Sequence, residues 1–164
     1  GFDVAIRVGR LPDSSLVARR LAPCPLLLCA SPAYVERHGR PAAPADLASH
    51  SCLAYAYGPT RDDWVFNGPD GEVRVHTQSR FRVNNGDAIQ QALLHGLGIA
   101  LQPCFIAAED LRAGRLVELL PEYRLPDLAV HAVYPAGRHL SAKVRSFVDF
   151  MAAHFSPPPW EAQG

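Results

Sequence analysis

The first twenty-one residues, GFDVAIRVGRLPDSSLVARRL, constrain the fold more than any other stretch. Phe2, Val4, Ala5, Ile6 and Val8 form a near-continuous apolar run. That pattern is expected of a strand buried on both faces of a parallel sheet, because a strand with one wet face alternates instead. Such a strand needs neighbours. No turn, cap or earlier strand stands before it, so the expectation is a chain that begins inside a domain.

The chain has 164 residues, enough for one ordinary domain or two small lobes. Its content of 48% hydrophobic and 20% charged residues is that of a folded globular protein. Sixteen basic residues balance sixteen acidic ones. Gripping DNA needs a basic excess to neutralise phosphates, so these residues are not expected to hold nucleic acid themselves. No apolar run is long enough for a membrane span. Cys24, Cys29, Cys52 and Cys104 form no CxxC pair and the seven histidines are dispersed, so no metal site is expected. The cysteines read as small buried hydrophobes with reduced thiols. The alternative is a redox pair of Cys24 and Cys29, which would require an exposed, electropositive thiolate.

Turn chemistry at Pro12-Asp13-Ser14-Ser15 separates the first run from a short strand at Leu16 to Leu21. Pro25 to Ala30 reads as a second buried strand. Ser31-Pro32 opens a helix that Gly39 stops. A helical turn lies around Ala45 to Ala48. Residues 53 to 83 read as short strands at Leu53–Ala56, Asp63–Asn67, Glu72–His76 and Ser79–Val83, with Gly68-Pro69-Asp70-Gly71 turning a hairpin. Trp64, Val65 and Phe66 are expected in the core. A helix from about Asp87 to His95, with Ala88, Ile89, Ala92 and Leu93 inward and Gly96 at its end, leads to a strand at Gly98–Gln102, closing a parallel crossover. Pro103 starts another helix to about Arg112, which Gly114 stops. Leu116–Leu119 reads as an edge strand and Leu128–Tyr134 as the last strand. A final helix follows, capped by Ser141 and running to about His154, with Val144, Phe147, Val148, Met151 and Phe155 at helical spacing. Residues from Ser156 on read as a tail without a packing pattern. The pattern alone gives an α/β chain in two parts.

Four segments carry a resemblance. FDVAIRVG, followed by LPDSSL and ARRL, is similar to the ligand-sensing domain of LysR-type bacterial transcription regulators. SPAYVERHGRPAAPADLASHSCL resembles the same family's next block, and the order persists to about residue 155. The resemblance implies a type 2 periplasmic-binding-protein fold: two lobes joined by two crossover strands, here Leu26–Ser31 and Leu128–Tyr134. Lobe I would be residues 1–25 with 131–156, lobe II residues 26–130, and residues 157–164 a disordered tail. The first part of lobe I would be missing, leaving one sheet edge exposed and prone to association. The DNA-binding winged helix–turn–helix would also lie outside these 164 residues.

The best chemical candidate is Asn84-Asn85-Gly86, which leads into a helix start whose free N–H groups and dipole favour an anion. Asparagine and glycine tolerate the left-handed backbone that would aim those groups at a ligand. The plainer alternative is that Asn84 or Asn85 caps the helix. Gln102-Pro103 sits at a strand's carboxyl end, where open α/β sheets bind ligands; the alternative is a buried amide satisfying loop backbone. Arg7, in an apolar strand, suits an anionic effector; the alternative is a partly exposed arginine, or one paired with Asp3 or another acid. Ser31, after Ala30 at the first crossing, touches ligand or caps. With Val8 and Gly9, the effector-binding set expected is Arg7, Val8, Gly9, Ala30, Ser31, Asn84, Asn85, Gly86, Gln102 and Pro103.

Catalysis has little support: Asp62 and Asp63 would point to opposite faces of a strand, and there is no GxSxG elbow. The expected function is therefore the effector-sensing domain of a cytoplasmic LysR-type regulator, not an enzyme, with no cofactor. A small molecule, of the anionic or hydrogen-bonding kind, would bind between lobes. The resemblance implies a homodimer or tetramer, formed head to tail with the Ser141–His154 helix at the surface, and DNA contact only through the winged helix. The alternative is an extracytoplasmic solute-binding protein of the same fold.

Overall fold

The computed structural model describes residues 2–9, 11, 15–57, 62–136 and 141–161. In chain order the elements are β1 (Ala5–Gly9), β2 (Leu16–Cys24), β3 (Leu26–Ala30), α1 (Pro32–His38) and a 3₁₀ turn at Pro44–Ser49. Then come β4 (Cys52–Tyr55), β5 (Asp63–Gly68), β6 (Gly71–His76), β7 (Ser79–Val83), α2 (Gly86–Leu94) and β8 (Ile99–Pro103). The chain continues through α3 (Cys104–Arg112), β9 (Val117–Glu118), β10 (Leu128–Pro135) and α4 (Ala142–His154). It divides into two compact units: Gly1–Pro25 with Asp127–Gly164, and Leu26–Pro126. The expected turn at Pro12–Ser15 lies partly outside the described residues.

The unit built from the two chain ends is a three-stranded sheet, β1-β10-β2, antiparallel throughout. This corrects the expectation of a buried parallel first strand. β1 pairs only with β10 among the described residues, so Ile6 and Val8 stay 40% and 43% exposed. An apolar run reports a strand but not its neighbours; here one ladder and one open side replace two ladders. β2 runs nine residues, longer than the expected Leu16–Leu21.

Helix α4 begins at Ser141, whose Oγ accepts from the Val144 N–H at 3.3 Å. It packs through Val144 and Val148 onto Ala132, with Val4, Leu21 and Tyr134 around them. Burying each such valine contributes about 1.5–3 kcal/mol. Phe147 and Phe150 on the same helix remain exposed. The residues after α4, expected to carry no packing, turn back instead. Pro158 is buried, and the Trp160 ring lies 5.6 Å from Phe155. Two aromatics in reach of one another are enough to hold a short proline-rich turn. Residues 162–164 lie outside the described set.

The other unit holds a five-stranded sheet in the order β7-β4-β8-β3-β9. β4 runs parallel to both β7 and β8, while β3 is antiparallel to β8 and β9. The crossover from β7 through α2 to β8 is therefore parallel but skips a strand, with β4 between. Alternation along each strand feeds two cores. Leu28, Cys52 and Ile99 join Tyr34, Leu47, Trp64 and Phe66 on one face. Cys29, Leu53 and Ala100 meet Ile89, Leu93 and Ala107 of α2 and α3 on the other. The β5–β6 hairpin closes at Gly68 opposite Gly71. Within it Trp64 and Phe66 face the core, and Val65, between them, is only half-buried.

Candidate functional site

Because β4, β7 and β8 run in one direction, their carboxyl ends share one edge of the Leu26–Pro126 unit. Tyr55 lies opposite Val83 there, and the Ala56 N–H donates to the Val83 carbonyl at 2.7 Å. Asn84, Asn85 and Gly86 follow directly. Asn85 caps α2: its Oδ1 accepts from the Ala88 N–H at 3.0 Å, and the Ile89 N–H reaches the Asn85 carbonyl. The left-handed backbone expected of this Asn-Asn-Gly stretch is not present. Asn85 is extended at φ −132°, and none of the three residues has positive φ. A Cβ at Gly86 would stand 2.6 Å from Ile106 Cδ1, the far end of a side chain that can swing aside.

Gln102 makes the plainer of its two expected uses. It is 1% exposed, and its Nε2 donates both to the Gly86 carbonyl at 3.1 Å and to Gln90 Oε1 at 2.8 Å. Gln90 in turn donates to the buried Asp110 carboxylate, which also accepts from Arg115. Both Nε2 hydrogens are committed, so Gln102 holds the start of α2 in place and has no N–H left for a ligand. Buried polar groups of this kind are affordable only when paired, and this chain of donors runs without a break from the α2 start to α3. Pro103 ends β8 and takes the N-cap position of α3, with no side-chain cap.

The structure does not bring Ala30 and Ser31 to this edge. β3 is antiparallel to β8, with Leu26 opposite Pro103 and Cys29 opposite Ala100. Ala30 and Ser31 therefore stand at the far end of the sheet, roughly four strand residues or about 13 Å away. Ser31 caps α1, its Oγ accepting from the Tyr34 N–H at 3.3 Å. Ala30 is wholly buried. Strand polarity, which the residues alone did not reveal, decides this.

Arg7, Val8 and Gly9 belong to the other unit, on β1. The expected partner of Arg7 is engaged elsewhere: Asp3 accepts from Lys143 at 2.6 Å. In register, Arg7 faces His131 of β10, and His131 faces Arg20 of β2. Three basic side chains thus line up across three strands. The buried His131 Nδ1 has no hydrogen-bond partner among the described residues. Arg7 and Arg20 thus stand two strands apart on either side of His131, with no carboxylate at these register positions.

Sequence reasoning missed Tyr55, opposite Val83 and 46% exposed, and Tyr57, two residues on and 65% exposed. Their rings meet edge-on at 6.2 Å. The signal was present in their spacing of two, which puts both on one side of the chain as it leaves β4. Such half-covered aromatics at the mouth of a parallel-strand edge are suited to stacking on a ligand ring. The cysteines are all free and buried. Burial pushes the Cys29 thiol up to about 12, with Glu118 adding to it, and burial alone pushes Cys52 up to about 12. Neither is a thiolate near neutrality, and Cys24 and Cys29 are not joined. No cluster of metal-binding side chains occurs among the described residues.

Comparison with known proteins places this edge in context. Residues 1–156 match the family described as the LysR substrate binding domain. An uncharacterized HTH-type transcriptional regulator of Haemophilus influenzae is 40% identical over 144 residues, covering 88% of this chain and 50% of that protein. The HTH-type transcriptional activator AaeR of Escherichia coli K12 is 36% identical over 156 residues, 94% of this chain and 50% of the relative. The chain thus spans about half the length of the curated relatives it matches. Among solved structures, the regulatory domain of CrgA from Neisseria meningitidis superposes with a TM-score of 0.81 at 29% identity, covering 93% of this chain and 74% of that one. Its fold is the type 2 periplasmic-binding-protein-like α/β fold, and the chain belongs to the LysR substrate-binding-domain family.

Proposed function

We propose that this chain is the effector-sensing part of a bacterial DNA-binding transcription regulator. The observation that carries the reading is the β7–α2 loop, held by Gln102 at the strand-carboxyl edge of a LysR substrate-binding domain. A bound small molecule would bias the populations of two arrangements of the domain, and in the whole protein that bias would reach a DNA-binding segment. The residues proposed to meet the molecule are Asn84, Asn85, Gly86 and Pro103, with Tyr55 and Tyr57 beside them. Arg7, Val8 and Gly9 are proposed from the other unit. Gln102 is a positioning residue. The effector class is an anion, for which the Arg7–His131–Arg20 row is the supporting observation.

The protein is proposed to act in the cytoplasm, where its DNA target is, and to turn over no substrate. No helix among the described residues is long and apolar enough to cross a membrane. The exposed Phe147 and Phe150 on α4 support a homodimer or tetramer that covers them. The names of the relatives support regulation over extracytoplasmic solute capture. The test is a mobility-shift assay on the product of the whole reading frame with DNA from its own promoter region. Retarded DNA whose affinity shifts when a small carboxylate is added is expected. A reading frame without a DNA-binding segment, or one encoding an export signal, would overturn the proposal.

A further inference from the structure

At the amino ends of β4 and β7, the end of the sheet opposite Asn84, lies a recess of about 310 Å³. That is at the small end of the range for ligand pockets. It is lined by Tyr34, His38, Ser49, His50, Ser51, Gln78 and Arg80, with Ala48, and by no carboxylate.

The donors in this recess are held in place. The Tyr34 hydroxyl accepts from the Ser51 N–H at 3.0 Å and sits 3.0 Å from His50 Nδ1. In the tautomer where the hydroxyl hydrogen is given to Nδ1, His50 carries its own hydrogen on Nε2, a nitrogen with no partner among the described residues. Burial, with His38 nearby, pulls the His50 pKa below its ordinary value and agrees with a neutral ring, Asp46 opposing weakly. The His38 ring stacks on Tyr34 at 4.5 Å. The nearest acid, Asp46, is occupied, since its Oδ2 accepts from the Ala42 and Ala43 N–H groups.

Arg80 completes the case. Arg19, Arg74, Arg82 and Arg115 each pair with a carboxylate. Arg37 and Arg40 donate to backbone carbonyls. The Arg80 side chain has no ion pair or hydrogen bond among the described residues, as holds also for Arg7, Arg20 and Arg145, but of these only Arg80 is among the residues that line the recess. A guanidinium in that setting is built for a planar or tetrahedral anion.

We propose that this recess is a second binding site, separate from the strand-carboxyl edge, for a small anion bearing a carboxylate or phosphate group, with Arg80 and His50 Nε2 as its principal donors. The site is shallow, so affinity on the order of millimolar is expected. The test is a ¹H–¹⁵N chemical-shift titration of the 164-residue chain at constant ionic strength, with sodium phosphate in one arm, sodium acetate in the second and sodium chloride as control. Saturable shifts at His50, Ser51, Gln78 and Arg80 in the phosphate or acetate arm are expected, and the arm that saturates names the group. Arg80→Gln, a surface change, is expected to weaken binding tenfold or more, while Arg74→Gln, the same loss of charge on the exposed β5–β6 hairpin, leaves it unchanged. Chloride producing the same shifts, no saturation below about 50 mM, or equal binding by Arg80→Gln would each overturn the proposal.

Discussion

The Gln102 side-chain amide donates to the Gly86 carbonyl at 3.1 Å, tying the last turn of a sheet strand to the first turn of the helix beside it. The same nitrogen serves Gln90, so one buried amide fixes a loop and a helix face together. Gln102→Leu keeps the shape and removes both bonds. A loss of about 1–3 kcal/mol in urea unfolding is expected, because the Gly86 carbonyl and Gln90 amide lose a donor. The double variant with Gln90→Leu is expected to lose less than the sum of the two single changes.

Asn85→Ala removes the cap of α2 and is expected to cost about 1 kcal/mol by the same measurement. Asn85→Asp keeps the acceptor and is expected to retain most of that stability. Its new negative charge at the helix start would at the same time weaken an anionic effector, which separates capping from binding.

Burial raises Cys29 and Cys52 to about 12, above an ordinary thiol at 9.0. Between those values the unfolded chain has lost protons that the folded chain still holds. Stability is therefore expected to be complete below about pH 9 and to fall as pH rises toward 12. At pH 8, iodoacetamide is expected to leave both thiols unmodified in the folded protein and to alkylate them in urea, as mass spectrometry of digests would read.

Gly98 is a packing requirement. A Cβ there would lie 2.3 Å from the Ser51 carbonyl oxygen, a backbone atom that cannot swing aside. Gly98→Ala is expected to destabilise by about 1–3 kcal/mol, whereas Gly114→Ala, where a Cβ meets nothing, would suffer only from its φ of +70°. Midpoints of thermal unfolding compare the two.

Local signals made much of this fold readable. Ser31, Asn85 and Ser141 each cap the helix they were expected to begin, and Gly39 and Gly96 end theirs with positive φ. The hairpin at Gly68–Gly71 follows the same rule, that turn chemistry is local, and the edge strand expected at Leu116–Leu119 is present as the shorter Val117–Glu118. What was not readable depends on who sits next to whom. The run at Phe2–Val8 announces a strand, but only pairing makes it antiparallel and half-exposed. Ala30 and Ser31 follow a strand whose direction relative to β8 no local pattern records, so they were grouped with Asn84 although they stand at the opposite end of the sheet. Tyr55 reads only as part of the Leu53–Ala56 strand, because exposure of an aromatic is a property of its surroundings.

The central claim is that a small anionic effector meets the strand-carboxyl edge around Asn84–Gly86. Its most direct measurement is chemical-shift mapping of the ¹⁵N-labelled chain against a library of small aromatic and aliphatic carboxylates. At least one member is expected to give saturable shifts at Val83, Asn84, Asn85, Gly86 and Cys104, lost on mutating Asn85→Asp. Saturable binding that leaves every one of those amides unmoved would contradict the account.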